Sequence, residues 1–329
     1  MKKFLLSMAL VAIAGAGTQA SAQTAPANAI NGKFSVAADK QVYFSQGNLQ
    51  YTQSTATWAF AEHQYDMIGT DNVTGGTVSH DATDGDEVFG EALADKIDLF
   101  GWSGSTAAVQ WGVGISGNAT DYSGDFVDWG SNTIGTDAPN TWRTLTENEW
   151  EYVLSNRADA DTKKGVARIN LSSDGTMYAN GLILLPDTWT APAGITFKSG
   201  VASERSVQAY ADYQTFTLSE WQQLESAGAV FLPAAGMRST TQVLYVHHNV
   251  TLWTATYDDA TYVGQVNADS WSIGTYLSER YYGRTVRLVQ DVKAVGTGIA
   301  ETATTGNVET RKVLRDGQIL IQRGDTLTP

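Results

Sequence analysis

Apolar and polar positions along this 329-residue chain alternate mostly in short runs, and two stretches switch to a helical period. In "LTENEWEYVLSNR" (145–157), Thr146 and Glu149 have the spacing of a capping box, in which each side chain accepts the other residue's backbone N–H at a helix start. Trp150, Val153, Leu154 and Arg157 then continue one helical face. "TLSEW" repeats the device at Thr217 and Glu220, with Trp221 and Leu224 behind it. Two short helices are therefore predicted, each with a tryptophan in its first turns. An indole carries a large apolar area, so a packing role is expected for each.

Elsewhere the period is two. "KFSVAADKQVYFSQGNLQY" predicts two strands with Val42, Phe44, Leu49 and Tyr51 on one side. "GLILLPDTW" (181–189) and "AVFLPAAG" (229–236) are apolar runs stopped by proline, as expected of buried strands that end in a turn. Further strands rich in Thr, Tyr, Val and Trp are predicted over 251–290. The closing "GRTVRLVQ" alternates Val286 and Leu288 with Arg287 and Val289, which predicts a half-exposed final strand. Residues 70–140 read as a long irregular segment pinned by its own aromatics, Phe100, Trp102, Trp111, Tyr122, Phe126 and Trp129. Residues 292–310 have linker composition. Within 311–329, Asp316-Gly317 between apolar runs predicts a small hairpin.

Composition narrows the setting. Lys2, Lys3, an apolar stretch over 4–16 and Ala20-Ser21-Ala22 read as a secretory signal over 1–22, followed by a leader over 23–32. That apolar stretch is too short to span a bilayer and no later run is longer, so the mature chain is expected to lack a transmembrane segment and to work outside the cytoplasm. The formal net charge of −14 becomes −16 once Lys2 and Lys3 leave, which disfavours nucleic acid and anionic membrane as partners. Aromatics make up 10% of the chain and charged residues only 17%, so a folded, turn-rich domain is expected in place of an acidic tail. The chain has no cysteine, which removes disulfides, cysteine-linked lipid and thiol chemistry.

Seven segments, "VYFSQGNLQY", "KIDLFGW", "WRTLTENEWEYVLSNR", "GLILLPDTW", "AGAVFLPAAGMR", "LWTATY" and "GRTVRLV", follow one another in an order that resembles secreted Bacteroidetes proteins of the Fibrobacter-major-paralogous-domain type. Those proteins in turn resemble the formylglycine-generating-enzyme and C-type-lectin fold. There "R-L-P-T-E-A-E-W-E-Y-A" opens a principal helix, to which 143–153 is similar, and a closing "G-F-R" strand is similar to 283–287. The resemblance implies an α+β fold over 33–291, with two helices on a small twisted β core and long loops. The C-terminal piece looks like the end of a chain exported by the type IX route.

Several chemistries can be weighed against this reading. Formylglycine-generating enzymes work through cysteines and copper, so the absence of cysteine removes that activity. A related branch holds iron with histidines. Here His247 and His248 are neighbours and would point to opposite faces of a strand, while His63 and His80 lie on separate loops. Asp81, Asp84, Asp86 and Glu87 are hard oxygen ligands of the kind calcium takes, although their spacing is not that of an EF-hand loop and a solvated acidic loop is the competing reading. "GWSGS" (101–105) fails the G-x-S-x-G pattern at its last position. Arg323-Gly324-Asp325 reads as a turn.

What remains is a binding surface. In lectin-fold binding proteins, including the variable proteins diversified by retroelements, the late segment presents the side chains that meet the ligand. Aromatics with polar tips give contact area at small entropic cost. By this resemblance His247, Tyr257, Asp258, Tyr262, Trp271 and Tyr276 are the candidate ligand-binding residues. The expected function is non-catalytic, adhesin- or lectin-like binding of a glycan, a peptide or a surface protein, in the secreted state or at the outer surface of a Bacteroidetes-type bacterium. Two alternatives stand beside it: a secreted carboxylate-dependent enzyme acting on polysaccharide, and a structural subunit of a surface assembly.

Overall fold

The computed structural model describes residues 24–72, 77–79, 95–102, 104–106, 109–113, 124–240, 242–293, 310–315, 318–323 and 326–328. The signal segment, the acidic cluster Asp81, Asp84, Asp86 and Glu87, His80, Tyr122, most of the linker and Gly324-Asp325 lie outside them. The chain divides into two compact units, 1–292 and 293–329.

The first unit is α+β. Strands β1 (Phe34–Ala37) and β2 (Lys40–Phe44) form a hairpin, and β16 (Val289–Asp291), the last strand of the unit, pairs with β2. A second small sheet orders β4 (Thr57–Phe60), β3 (Leu49–Thr52) and β6 (Lys96–Ile97), and a third orders β11 (Met237–Ser239), β12 (Gln242–Leu244) and β5 (Thr77–Ser79). At the centre, β10 (Val230–Pro233), β8 (Tyr178–Leu184), β7 (Lys164–Asn170) and β9 (Thr215–Thr217) lie in that order. The remaining sheet is the meander β13 (Val250–Tyr257), β14 (Tyr262–Ala268) and β15 (Ile273–Glu279). Its helices are α1 (Glu147–Glu151), α2 (Val207–Tyr213) and α3 (Leu218–Ser226).

The two helix-borne tryptophans find opposite sides of the central sheet. Side chains alternate across a strand. Leu182, Leu184, Val230 and Leu232 therefore join one core with Trp150, while Ile183 and Phe231 join another with Trp221. Trp150 packs 5.5 Å from the Phe44 ring and Trp221 5.4 Å from Phe231. Both capping boxes form, Thr146 with Glu149 and Thr217 with Glu220. After α1 the chain continues into a π-helical turn over Tyr152–Asn156, which keeps Val153 and Leu154 in the core. Arg143 forks onto both oxygens of Glu149 at 2.8 Å and reaches Asp291 at 2.7 Å, tying the start of α1 to β16. Among the described residues of the irregular segment, Phe100, Trp102 and Trp129 join Trp58, Trp142 and Trp253 in a third core, with Trp111 and Phe126 packed against it.

Several expectations are corrected. The first run forms three strands, because β3 pairs with β4 and leaves the β1–β2 hairpin. The leader is partly structural, with Ile30 in the core and its N–H donated to the Phe44 carbonyl. A third helix, α2, was not foreshadowed. The final strand is buried rather than half exposed: Arg287 is 1% accessible, and its guanidinium donates to the carbonyls of Ser45 and Phe231. Backbone carbonyls, in place of a carboxylate, accept from both terminal nitrogens of this interior cation, while Nε has no partner among the described residues. In the second unit, β17 (Thr310–Arg315), β18 (Gln318–Arg323) and β19 (Thr326–Thr328) make a three-stranded antiparallel meander, one strand more than a hairpin. Among the described residues no helix is long and apolar enough to cross a membrane.

Candidate functional site

The β13–β14–β15 meander carries most of the sequence-nominated residues, but it does not bring them together. Tyr257 closes β13, Tyr262 opens β14, and Asp258 lies in the exposed turn between them. Trp271 lies at the opposite end, in the turn from β14 to β15. Tyr262 pairs with Glu279 and Ala268 with Ile273, so six strand steps separate the ends, about 20 Å at ~3.3 Å each. Tyr276 stands between them on β15, opposite Gln265. Tyr257, Tyr262, Trp271 and Tyr276 are all exposed, at 40–56% of their full accessibility.

His247 does not belong to this face. It is buried, and burial followed by the charge of Arg168 pushes its imidazole down to about 3, so it stays neutral. Its ring packs 4.8 Å from Tyr178, and its backbone carbonyl accepts from the amide of the buried Asn180. His247 and His248 occupy a turn, not a strand, yet their rings still part: that of His248 lies against Asn249 and Tyr245. Among the described residues no three His, Asp or Glu side chains gather as a metal site would need.

The Trp271 end borders a cavity of about 730 Å³, within the ~300–1,000 Å³ span of small-molecule sites. Three chain segments enclose it. One is the stretch 205–208 entering α2, the second is the turn 245–249, and the third is the end of the meander, through Thr251, Asn267 and Asp269. Met237 of β11 and Arg284 also line it. Cross-strand partners share a face, so Thr251, Asn267 and Gly274 lie on the side of the sheet that also carries Trp253, Gln265 and Tyr276. The ring of Tyr276 leans back over Gly274, where a Cβ would come within 3.4 Å of it. Tyr276 thus shares a sheet face with Asn267, which lines the cavity.

The walls are stapled together by polar contacts. Asp269 accepts the N–H groups of Trp271 and Ser272 at 2.8 Å and pairs with Arg205 at 2.8 Å. Arg205 in turn lies over the Trp271 ring, 5.0 Å from its centroid. Ser270 Oγ accepts the Ser206 N–H and donates to the Glu204 carbonyl, and the Ser270 carbonyl accepts the Ala202 N–H. On the second wall, Tyr245 and His247 both adopt left-handed backbone conformations, at φ 62° and 60°. For bulky side chains such conformations cost about 1–3 kcal/mol each and persist only where the surroundings impose them. Here Tyr210 Oη donates to the His248 carbonyl, and Asn249 donates to Asn267 Oδ1 and, through its carbonyl, accepts from Gly236. Gly236 itself is required, since a Cβ would meet the Leu244 carbonyl at 2.1 Å.

At the far end the aromatics are differently occupied. Arg280 lies against both Trp102 and Tyr257, 5.0 and 5.8 Å from their rings, and donates to the carbonyls of Ala260 and Gly124. Asp259, not Asp258, organises the turn by accepting the N–H groups of Thr261 and Tyr262. Glu147 approaches from α1, its carboxyl raised by burial and then by the charges of Asp258 and Glu151.

Sequence reasoning missed Arg205, Asn249, Asn267, Asp269 and Arg284. The one local signal was the sequence Asp269-Ser270-Trp271-Ser272, an Asp two residues before an aromatic at a strand end, which favours a side-chain-capped turn. The chain matches no protein-family model, and neither curated proteins nor solved structures gave a match.

Proposed function

We propose that the protein is a non-catalytic, exported binding protein of Bacteroidetes type, built on a C-type-lectin-like scaffold, and that it holds a glycan in the cavity beside Trp271. One observation carries this reading: hydrogen-bonding side chains from three chain segments converge on a hollow of ligand size, and one of its lining residues, Arg205, lies over the exposed indole of Trp271. Sugars present hydroxyls in a plane and C–H groups on their faces. Amide and carboxylate side chains suit the former, and an exposed indole suits the latter. The fixed turn at Asp269 supports it further, because a side chain held in advance loses less freedom when a ligand arrives. A glycan array probed with the mature protein, with and without a chelator, tests the reading. Retention of defined glycans supports it. Binding confined to proteins or peptides contradicts it, and loss of binding on chelation brings the acidic cluster at 81–87 into the site.

The enzymatic alternative has one specific observation in its favour. Glu147 is a carboxyl raised by burial beside a second carboxylate, Asp258, near exposed tyrosines, and glycoside hydrolysis needs such a pair. Release of reducing ends from a polysaccharide, abolished by Glu147→Gln, would establish turnover at that end of the meander and displace the binding reading.

A further inference from the structure

The stretch that enters α2 lines a second hollow as well, of about 410 Å³. Residues 205–208 belong to the cavity described above, whereas 201–204 and, from α2, Ala209, Asp212 and Tyr213 belong to the second. Three hydrogen bonds to Ser270, the neighbour of Trp271, fix the stretch that the hollows share. The two linings meet on the exposed side of α2. There Gln208, from the first, donates through Nε2 to Asp212 Oδ1, from the second, at 2.9 Å and one helical turn away. Each hollow also supplies a cation that rests on an aromatic ring. Arg205 lies 5.0 Å from the Trp271 centroid, and Lys198 lies 3.8 Å from that of Tyr213. Such contacts hold a ring in place before a ligand arrives, which lowers the ordering cost of binding. Across both linings the charges balance, Arg205, Arg284 and Lys198 against Asp269, Glu204 and Asp212.

We propose that the two hollows are successive subsites for one neutral oligosaccharide, which crosses α2 over Gln208 and Asp212 and places different sugar units of a single chain in each. The proposal rests on the glycan-binding reading above and narrows its ligand to an uncharged chain of several units. A polyanionic chain would be repelled by a protein of formal charge −14 and would meet no net excess of cations in the two linings. A single sugar fills only one hollow. Once one unit of a chain is seated, the next is presented to the second hollow at high effective concentration, so affinity grows with chain length until both are filled.

Calorimetry on the full mature chain tests this with size-graded oligomers of glucose, mannose, galactose and N-acetylglucosamine, from the single sugar to chains long enough to overhang both hollows. For a series that binds, affinity should rise about tenfold to a hundredfold with length and then level off. Ser203→Trp introduces an indole into the second hollow from an exposed position, and it should abolish the rise, so that long chains bind no more tightly than short ones. Should this variant lose its fold, the length series on the unaltered chain decides alone. Affinity that does not change with length, or a rise that Ser203→Trp keeps, overturns the paired subsites and leaves glycan binding standing. A glycan array that retains only acidic glycans has the same consequence. Binding of no glycan, on the array or in the series, overturns both.

Discussion

The two ends of the β13–β14–β15 meander make an instructive pair. At one, Trp271 is exposed beside a polar hollow, its backbone fixed by Asp269 and its ring covered in part by Arg205. At the other, Tyr257 and Tyr262 are equally exposed, but the nearest cation, Arg280, is spent on Trp102 and on two backbone carbonyls. Exposure of aromatics is therefore similar at both ends, and what differs is the polar hollow that borders the Trp271 end. On the proposed reading, the end that borders the hollow is the one that binds.

The largest effect expected sets the baseline for that comparison. Trp150→Ala empties a fully packed position beneath the sheet and should cost about 3–5 kcal/mol of stability by urea denaturation, lowering both ends together. A loss below about 1 kcal/mol would mean that α1 is not part of the scaffold for either end.

Acid comes next. Burial alone would raise Glu149, but the Arg143 fork, the Thr146 N–H and Lys40 bring it down to about 2 from 4.5. A carboxyl whose pKa is depressed by folding stabilises above its unfolded value, and that stability is lost as pH falls from about 4.5 toward 2. The loss is at most about 3 kcal/mol, and less in proportion to the water that reaches this half-buried pair. Denaturation followed against pH should show this slope in the unaltered chain and little of it in Glu149→Gln. A full slope in that variant would remove the fork from the account.

A smaller change separates the ends directly. Trp271→Ala should weaken glycan binding about thirtyfold, on the order of 2 kcal/mol, with the melting temperature almost unchanged. Tyr262→Ala should leave both quantities where they were. If calorimetry found Tyr262→Ala to be the more damaging, the comparison would be inverted.

Much of the scaffold was legible because its signals are local. The capping boxes at Thr146 and Thr217 sit within four residues of the tryptophans they serve, and the buried strands at 181–184 and 230–233 announce themselves as apolar runs. Helix α2 was hidden because Ser206 caps it alone, with Ala209 where a capping box would place an acidic or amide residue. The buried arginines were misjudged because arginine is ordinarily a surface residue, and only the fold could bring Ser45 and Phe231 to Arg287. The cavity was invisible for a related reason. Its walls meet through contacts such as Ser206 to Ser270, 64 residues apart, and through Tyr210 to the turn at 248. Trp271 and Tyr276 could be nominated from the family resemblance, whereas the cavity that distinguishes their end from that of Tyr257 and Tyr262 could not.

The most direct measurement is hydrogen exchange on the mature chain with and without a glycan that the array shows it to retain. The account predicts slowed exchange at 202–210, 245–249 and 267–272, with 257–262 unchanged. Slowing at 257–262 that spares the cavity walls would contradict it.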